Sequence, residues 1–271
     1  MIRLIFAVTL SLFSVISLAQ TNFGNETLKF QGKIISVGDK KIEINADGFP
    51  KQIYNEDLSQ HLLYEPMHFH FYSLPKSQEK FINNDFKILA ENKDSIVWIA
   101  ESAPANLEMI VKGKVLSNGL VNYKVKIKTI KSISYSAINF HIPFEKSGSK
   151  YLAGLGQKTY ERPDTVKWAQ SDWKKIKPAV WIGNEDLGLY FGIKETSNWL
   201  KNYNGVMQIN IKGSSMLTDI YSSKITLNEA DELNFDFNLI LTPQPSEKSK
   251  LNFGRQFKLY EKLDTRISKN K

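Results

Sequence analysis

From Leu28 onward, apolar and polar residues alternate one by one along most of the chain. This period of two predicts strands with one buried and one wet face. LKFQGKIISV and KKIEIN read as two strands joined at Gly38-Asp39, a strong hairpin signal. PMHFHFYSL, DFKILAEN, SIVWIAES, LEMIVKGKVL, LVNYKVKIKTI and AINFHIPF continue the pattern, broken by Asn-Lys-Asp and Ser-Asn-Gly turns. LGLYFGIK, GVMQINIK, LTDIYSSKITL and ELNFDFNLILT complete it. So many short strands with almost no helical periodicity predict an all-β fold, a large antiparallel β-sandwich. Their spacing has no fixed period, which excludes a propeller or a solenoid. At Pro243 the alternation stops, and PQPSEKS reads as a linker. Leu251, Phe253, Phe257, Tyr260 and Leu263 then make the stripe of a short C-terminal helix before a polar tail.

The N-terminus is of another kind. MIRLIFAVTLSLFSVISLAQ has a positive Arg3, an apolar run from Leu4 to Ile16, and a small-x-small site at Ser17-Leu18-Ala19. That is the build of a secretory signal cleaved near Ala19 or Gln20, and it predicts a secreted or periplasmic protein. The run is shorter than the roughly 20 apolar residues a membrane span needs. No second run of that length follows, so no membrane span is expected. The predicted organisation is a signal over residues 1–20, a sandwich domain over 21–242, and a linker with helix and tail over 243–271.

Composition adds two constraints. The 271 residues contain no cysteine, so an exported chain must be stabilised by its packing. Lysine and arginine number 36 against 28 acids, a net +8, which becomes 35 − 28 = +7 once the signal with its single Arg3 is removed. A solvated lysine-rich surface accounts for this charge, with acidic glycans as the sharper partner. There is no compact basic tract or nucleic-acid-binding motif, so nucleic acid is not expected.

Candidate chemistry is sparse. His68 and His70 are two apart and share a strand face, which could begin a metal site, but the sequence places no third ligand. A polar outward face is the simpler reading; no metal or cofactor is expected. His61 and His141 are isolated. Lys124, Lys126 and Lys128 alternate with apolar residues as a solvent face; a basic glycan stripe would need Trp or Tyr beside them. Glu185-Asp186 and Asp231-Glu232 read as turns, because adjacent strand residues point to opposite faces. No nucleophile elbow, phosphate loop, zinc signature or dinucleotide fingerprint occurs, and no catalytic residues are assigned.

Four of the five tryptophans lie between Tyr151 and Trp199. Trp181 reads as core. Trp168 and Trp173, in the polar context KWAQSDWKK, are candidates to stack on a sugar ring. Arg162 could give paired hydrogen bonds to a carboxylate or sulfate, or equally brace its loop. Asp172 joins these as a candidate glycan contact.

Those residues carry a resemblance. The order Gly154-Leu155-Gly156, Arg162-Pro163, Trp168, Trp173, Trp181-Ile182-Gly183 and Gly188-Leu189, with the earlier Asp47-Gly48-Phe49-Pro50 step, is similar to the N-terminal β-sandwich of family 123 glycoside hydrolase-like proteins. The match runs from about Leu28 to Thr242. It implies a galactose-mutarotase-like or carbohydrate-module-like sandwich and a link to N-acetylgalactosamine-containing glycans. Larger members are understood to use a C-terminal barrel with an Asp-Glu pair. The Asp231-Glu232 pair here lies inside the sandwich pattern, and no barrel repeat follows Thr242. The resemblance therefore implies an exported non-catalytic module that binds glycan or supports a catalytic barrel partner. The alternatives are a glycan-active hydrolase or lyase assembled from distant strands, and a protein-docking module.

Overall fold

The computed structural model describes residues 28–57, 59–73, 83–103, 106–157, 161–168, 178–194, 197–199, 207–222, 224–242 and 253–266. These residues form three antiparallel sheets and one helix. The first sheet is a meander of β1 (Leu28–Gln31), β2 (Ile34–Val37), β3 (Lys40–Ile44) and β4 (Pro50–Asn55). The Gly38-Asp39 turn joins β2 to β3 as expected, with Gly38 at φ +59°. The stretch LKFQGKIISV, read as one strand, is itself a hairpin. Gly32 takes φ +65°, so the chain reverses there and Gln31 pairs with Ile34.

The six-stranded sheet comprises β5 (His68–Ser73), β10 (Ile133–Glu145), β12 (Thr165–Trp168), β15 (Met207–Lys212), β16 (Ser215–Ser222) and β17 (Ile225–Leu227). Its order is β12-β15-β16-β10, with β17 carrying the β16 register further along β10 and β5 pairing with β10 separately. The eight-stranded sheet is ordered β11 (Tyr151–Gly154), β13 (Ala179–Gly183), β14 (Gly188–Ile193), β18 (Glu232–Thr242), β9 (Leu120–Thr129), β8 (Leu107–Leu116), β7 (Ser95–Ser102), β6 (Asn83–Glu91).

The two large sheets meet face to face through aromatic rings. Phe140 of β10 lies 4.9 Å from Phe237 of β18, and Phe69 of β5 lies 5.2 Å from Phe235. The all-β sandwich is therefore built as the alternation predicted. The small sheet is fastened to it by the Asp47-Gly48-Phe49 turn. Phe49 enters the core 5.3 Å from Phe140 and 5.7 Å from Tyr123. Gly48 takes φ +87°, and its carbonyl accepts the Trp98 indole N–H at 2.9 Å. Trp98 in turn lies over Gly113, its cross-strand partner, where a Cβ would stand 2.0 Å from the ring.

Helix α1 (Phe253–Arg266) covers the outside of the eight-stranded sheet. Tyr260 and Leu263 pack on Ala153, Ala179, Trp181, Tyr190 and Ile240, so β13 and β14 are buried on both faces. Trp181 is core, as expected, but in this second layer; its indole N–H donates to Thr242 Oγ1 at 2.6 Å. The expected turns are present at Glu185-Asp186, held by Asn184, and at Asp231, whose Oδ2 accepts the Asn228 amide at 2.8 Å. Among the described residues, no helix is long and apolar enough to cross a membrane.

Candidate functional site

The outer face of the six-stranded sheet breaks the alternation rule. From Ile138 to Phe144, β10 is buried on both faces. Ile138, Phe140, Ile142 and Phe144 fill the sandwich, while Asn139 and His141 point the other way and are still only 6% exposed. Register explains what gathers there. His141 sits opposite His68 of β5 on one side and Asp219 of β16 on the other. One step along, Asn139 sits opposite His70. A polar row thus crosses the sheet from His68 through His141 and Asp219 to Gln208 and Lys167.

The imidazoles form a compact triangle. Ring centroids are 4.4 Å apart for His68 and His70, 4.2 Å for His70 and His141, and 5.3 Å for His68 and His141. His141 Nδ1 stands 2.6 Å from Asp219 Oδ1. His68 Nδ1 is 2.7 Å from the Pro66 carbonyl, which can only accept, so that nitrogen carries the proton. His68 Nε2 then presents a lone pair, and it meets His70 Nε2, which must donate.

Electrostatics agree with neutral rings. Burial, with the neighbouring His141 and His68, pulls His70 down to about 4. Burial also lowers His68, against the opposing pull of the Pro66 carbonyl. At neutral pH these two rings offer both donors and acceptors without charge. Tyr72, two residues beyond His70, stacks on its ring at 5.7 Å and is 37% exposed. Burial and Asp219 both raise its phenol. Tyr64, whose amide donates to the Pro143 carbonyl at 2.8 Å, is 53% exposed. The cluster thus has a buried polar floor and an aromatic edge.

The residues singled out from sequence fall elsewhere. Trp168 is a correction: β12 turns it inward, opposite Met207, and it is 1% exposed, so its face is not presented to a sugar. On the alternate face of the strand Thr165 and Lys167 are exposed. Trp173 and Asp172 lie outside the described residues. Arg162 braces its loop, donating from Nε to the Ser149 carbonyl at 2.5 Å and from Nη1 to the Pro163 carbonyl at 3.3 Å. Lys124 and Lys126 line a shallow depression on the outer face of the eight-stranded sheet with Ile110, Lys112, Val125, Asn234 and Asp236. No Trp or Tyr lines it, and Lys126 is paired with Glu232 at 2.7 Å, so this face reads as solvated charge.

His141 and Asp219 carried no argument in the sequence, because only strand register brings them together across 78 residues (219 − 141). The available signal was the shared parity of Asn139 and His141 in AINFHIPF. Among the described residues, no group of three or more His, Asp or Glu side chains stands ready at metal-holding geometry.

Solved structures to which the chain is similar include a galactose mutarotase related enzyme from Lactobacillus acidophilus, 8% identical, with a TM-score of 0.43 over 83% of this chain and 99% of that one. A heparan sulfate lyase from Pedobacter heparinus is similar at 7% identity, with a TM-score of 0.45 over 77% of this chain and 33% of that one. No curated protein matches the chain significantly. The family model described as Glycoside hydrolase 123, third domain, matches residues 28–243, and the chain therefore belongs to that family.

Proposed function

We propose that the chain is an exported, non-catalytic carbohydrate-binding module of a polysaccharide-processing system, and that it holds its glycan on the outer face of the six-stranded sheet. One observation carries this reading: a sheet face that should be solvated instead presents a recessed cluster of His68, His70, Asn139, His141 and Asp219 beside the exposed ring of Tyr72. Sugar recognition asks for a flat aromatic surface for the C–H face and a few fixed donors and acceptors for hydroxyls. Neutral imidazoles, an amide and a carboxylate supply them here. The family association favours N-acetylgalactosamine-containing or acidic glycans. Trp173 and Asp172 stay candidate contacts, and a catalytic barrel stays a candidate partner.

The test is a glycan array on the secreted chain. We expect binding to a restricted set of glycans, lost in Tyr72→Ala and retained in Trp168→Phe. Absence of binding to every glycan would overturn the proposal. For export, mass analysis of the secreted protein should place the N-terminus near Gln20 or Thr21; retention of residues 1–20 would contradict it.

The contact between His141 and Asp219 favours a second reading, an enzyme whose acid/base pair is assembled from β10 and β16. Release of reducing ends or unsaturated products from a bound glycan, abolished by His141→Gln, would support it.

A further inference from the structure

The polar face over β10 does not end at the imidazole cluster. We propose that it is a track for an internal stretch of a linear polysaccharide, with a second subsite at Tyr64 and the cleft beside it. The inference rests on the glycan-binding reading above and deepens it, because it makes the partner an extended chain rather than a single sugar.

Three observations support it. The first is the placing of exposed rings. Among the described residues the exposed large apolar side chains are Tyr64, Tyr72, Leu89 and Ile130, and both tyrosines stand on this one face. Tyr72 lies opposite Ala137 of β10, on the same side of β5 as His68 and His70. Tyr64 donates its amide to the Pro143 carbonyl. Its neighbour Leu63 bridges to Phe144 and is buried in the core, which leaves the Tyr64 ring outside. Six residues of β10 (143 − 137) separate the two levels, a distance of about 20 Å at the rise of an extended strand. That gap is several pyranose rings long, so a chain can touch both tyrosines and a single sugar cannot.

The second is what lies between the rings. The half-buried His68 and His70, over Asn139 and His141, make the middle of the face polar. Flat aromatic faces at either end of a polar stretch match a glycan chain, which offers C–H faces and hydroxyl edges in turn. The third is a cleft of about 520 Å³ at the far end of the row. Glu145 stands in it, two residues beyond Pro143 and so on the same face of β10. Its rim is tied across loops, because Asn184 Nδ2 donates to Gln60 Oε1 at 3.1 Å and Gln60 Nε2 to Asp186 Oδ2 at 3.0 Å. The Glu145 carboxylate and the Ser147 hydroxyl of this cleft have no hydrogen-bond or ion-pair partner among the described residues, and are open to sugar hydroxyls. His61, on the opposite wall, belongs to the same segment as Tyr64, so the second ring and the cleft are carried together. A chain held at two places on one rigid face gains the second contact without a second association, and its affinity rises with length.

The test is calorimetry with size-graded fragments, from disaccharide to octasaccharide, of each polysaccharide that the array retains. Unsulfated chondroitin, which carries both N-acetylgalactosamine and uronate, is the first to be tried. We expect the octasaccharide to bind at least about tenfold more tightly than the disaccharide. Tyr64→Ala, at an exposed position where substitution leaves the fold intact, should remove that gain and keep disaccharide affinity within about twofold of wild type. Tyr64→Phe should restore the gain, because the flat face carries the contact. Glu145→Ala should weaken the octasaccharide and leave the disaccharide unchanged, whereas Tyr72→Ala should weaken both. Equal affinities for disaccharide and octasaccharide, or an octasaccharide affinity unchanged in Tyr64→Ala, would overturn the track and leave the site at Tyr72 standing. Absence of binding to every glycan would remove the proposed function, and the track with it.

Discussion

Asp264 is the residue through which helix α1 is tied to the sandwich, and its removal is predicted to be among the most damaging single changes in the chain. Its carboxylate is fully buried. It accepts from Asn238 Nδ2 at 2.5 Å and Tyr190 OH at 3.1 Å, and it stands 3.3 Å from Lys194 Nζ. Asn238 is held in turn by Asn122 Nδ2 at 2.7 Å, and Lys194 also donates to the Asp264 carbonyl at 2.5 Å. Burial first, and Asp264 next, keep the Tyr190 phenol protonated far above its ordinary range. Asp264→Ala strands two buried donors, each worth about 1.5–3 kcal/mol when the acceptor is charged. Lys194, with 22% of its side chain exposed, still reaches water and the Asp264 carbonyl, so its loss is discounted. The sum is about 3–6 kcal/mol, in line with the roughly 3–5 kcal/mol that removing one partner from a buried pair costs. Urea denaturation followed by tryptophan fluorescence measures it. Lys258→Ala on the exposed side of the helix should change stability by less than about 0.5 kcal/mol. An Asp264→Ala variant within about 1 kcal/mol of wild type would refute the reasoning.

Other consequences can be checked in the same way. Burial raises the Asp47 carboxyl to about 6 from its ordinary 3.8. Between those values the folded chain holds a proton that the unfolded chain has released, so the stability contributed by this group falls as pH rises, by up to roughly 3 kcal/mol. Asp47→Asn keeps an acceptor for the Phe49 amide; it should be more stable than wild type at pH 7.5 and lose that slope, and a less stable variant would contradict the assignment. Gly113→Ala puts a Cβ 2.0 Å from the Trp98 ring on a paired strand, and should cost at least about 2 kcal/mol and disturb the indole fluorescence. Lys124→Ala and Lys126→Ala together should lower net charge without altering glycan binding; loss of binding would move the site to the other sheet.

Much of the fold was legible because a sandwich writes itself into alternation. β8 and β9 carry a nearly unbroken inward-outward pattern around the Ser117-Asn118-Gly119 turn. The family was legible in the same way, since the Asp47-Gly48-Phe49 and Gly154-Leu155-Gly156 steps are backbone requirements: Gly48 and Gly154 take φ of +87° and +99°. The matching family model describes the domain as the third, where the resemblance places it at the N-terminus. The site was less legible. Trp168 sits among polar neighbours, and polar context says only that its strand has a wet face, not which face holds the ring. Arg162 likewise has the chemistry of a ligand anchor, but two backbone carbonyls occupy it. His141 and Asp219 meet through the pairing of β10 with β16, and register is a tertiary property that no local pattern encodes.

The central claim is that the recessed polar face over β10, and not the lysine face of the other sheet, holds the glycan. The most direct measurement is glycan binding by two sets of folded variants, Tyr72→Ala and Asn139→Ala on the first face, Lys112→Ala and Lys124→Ala on the second. The account predicts that the first set loses at least tenfold in affinity while the second stays within twofold of wild type; the reverse pattern would contradict it.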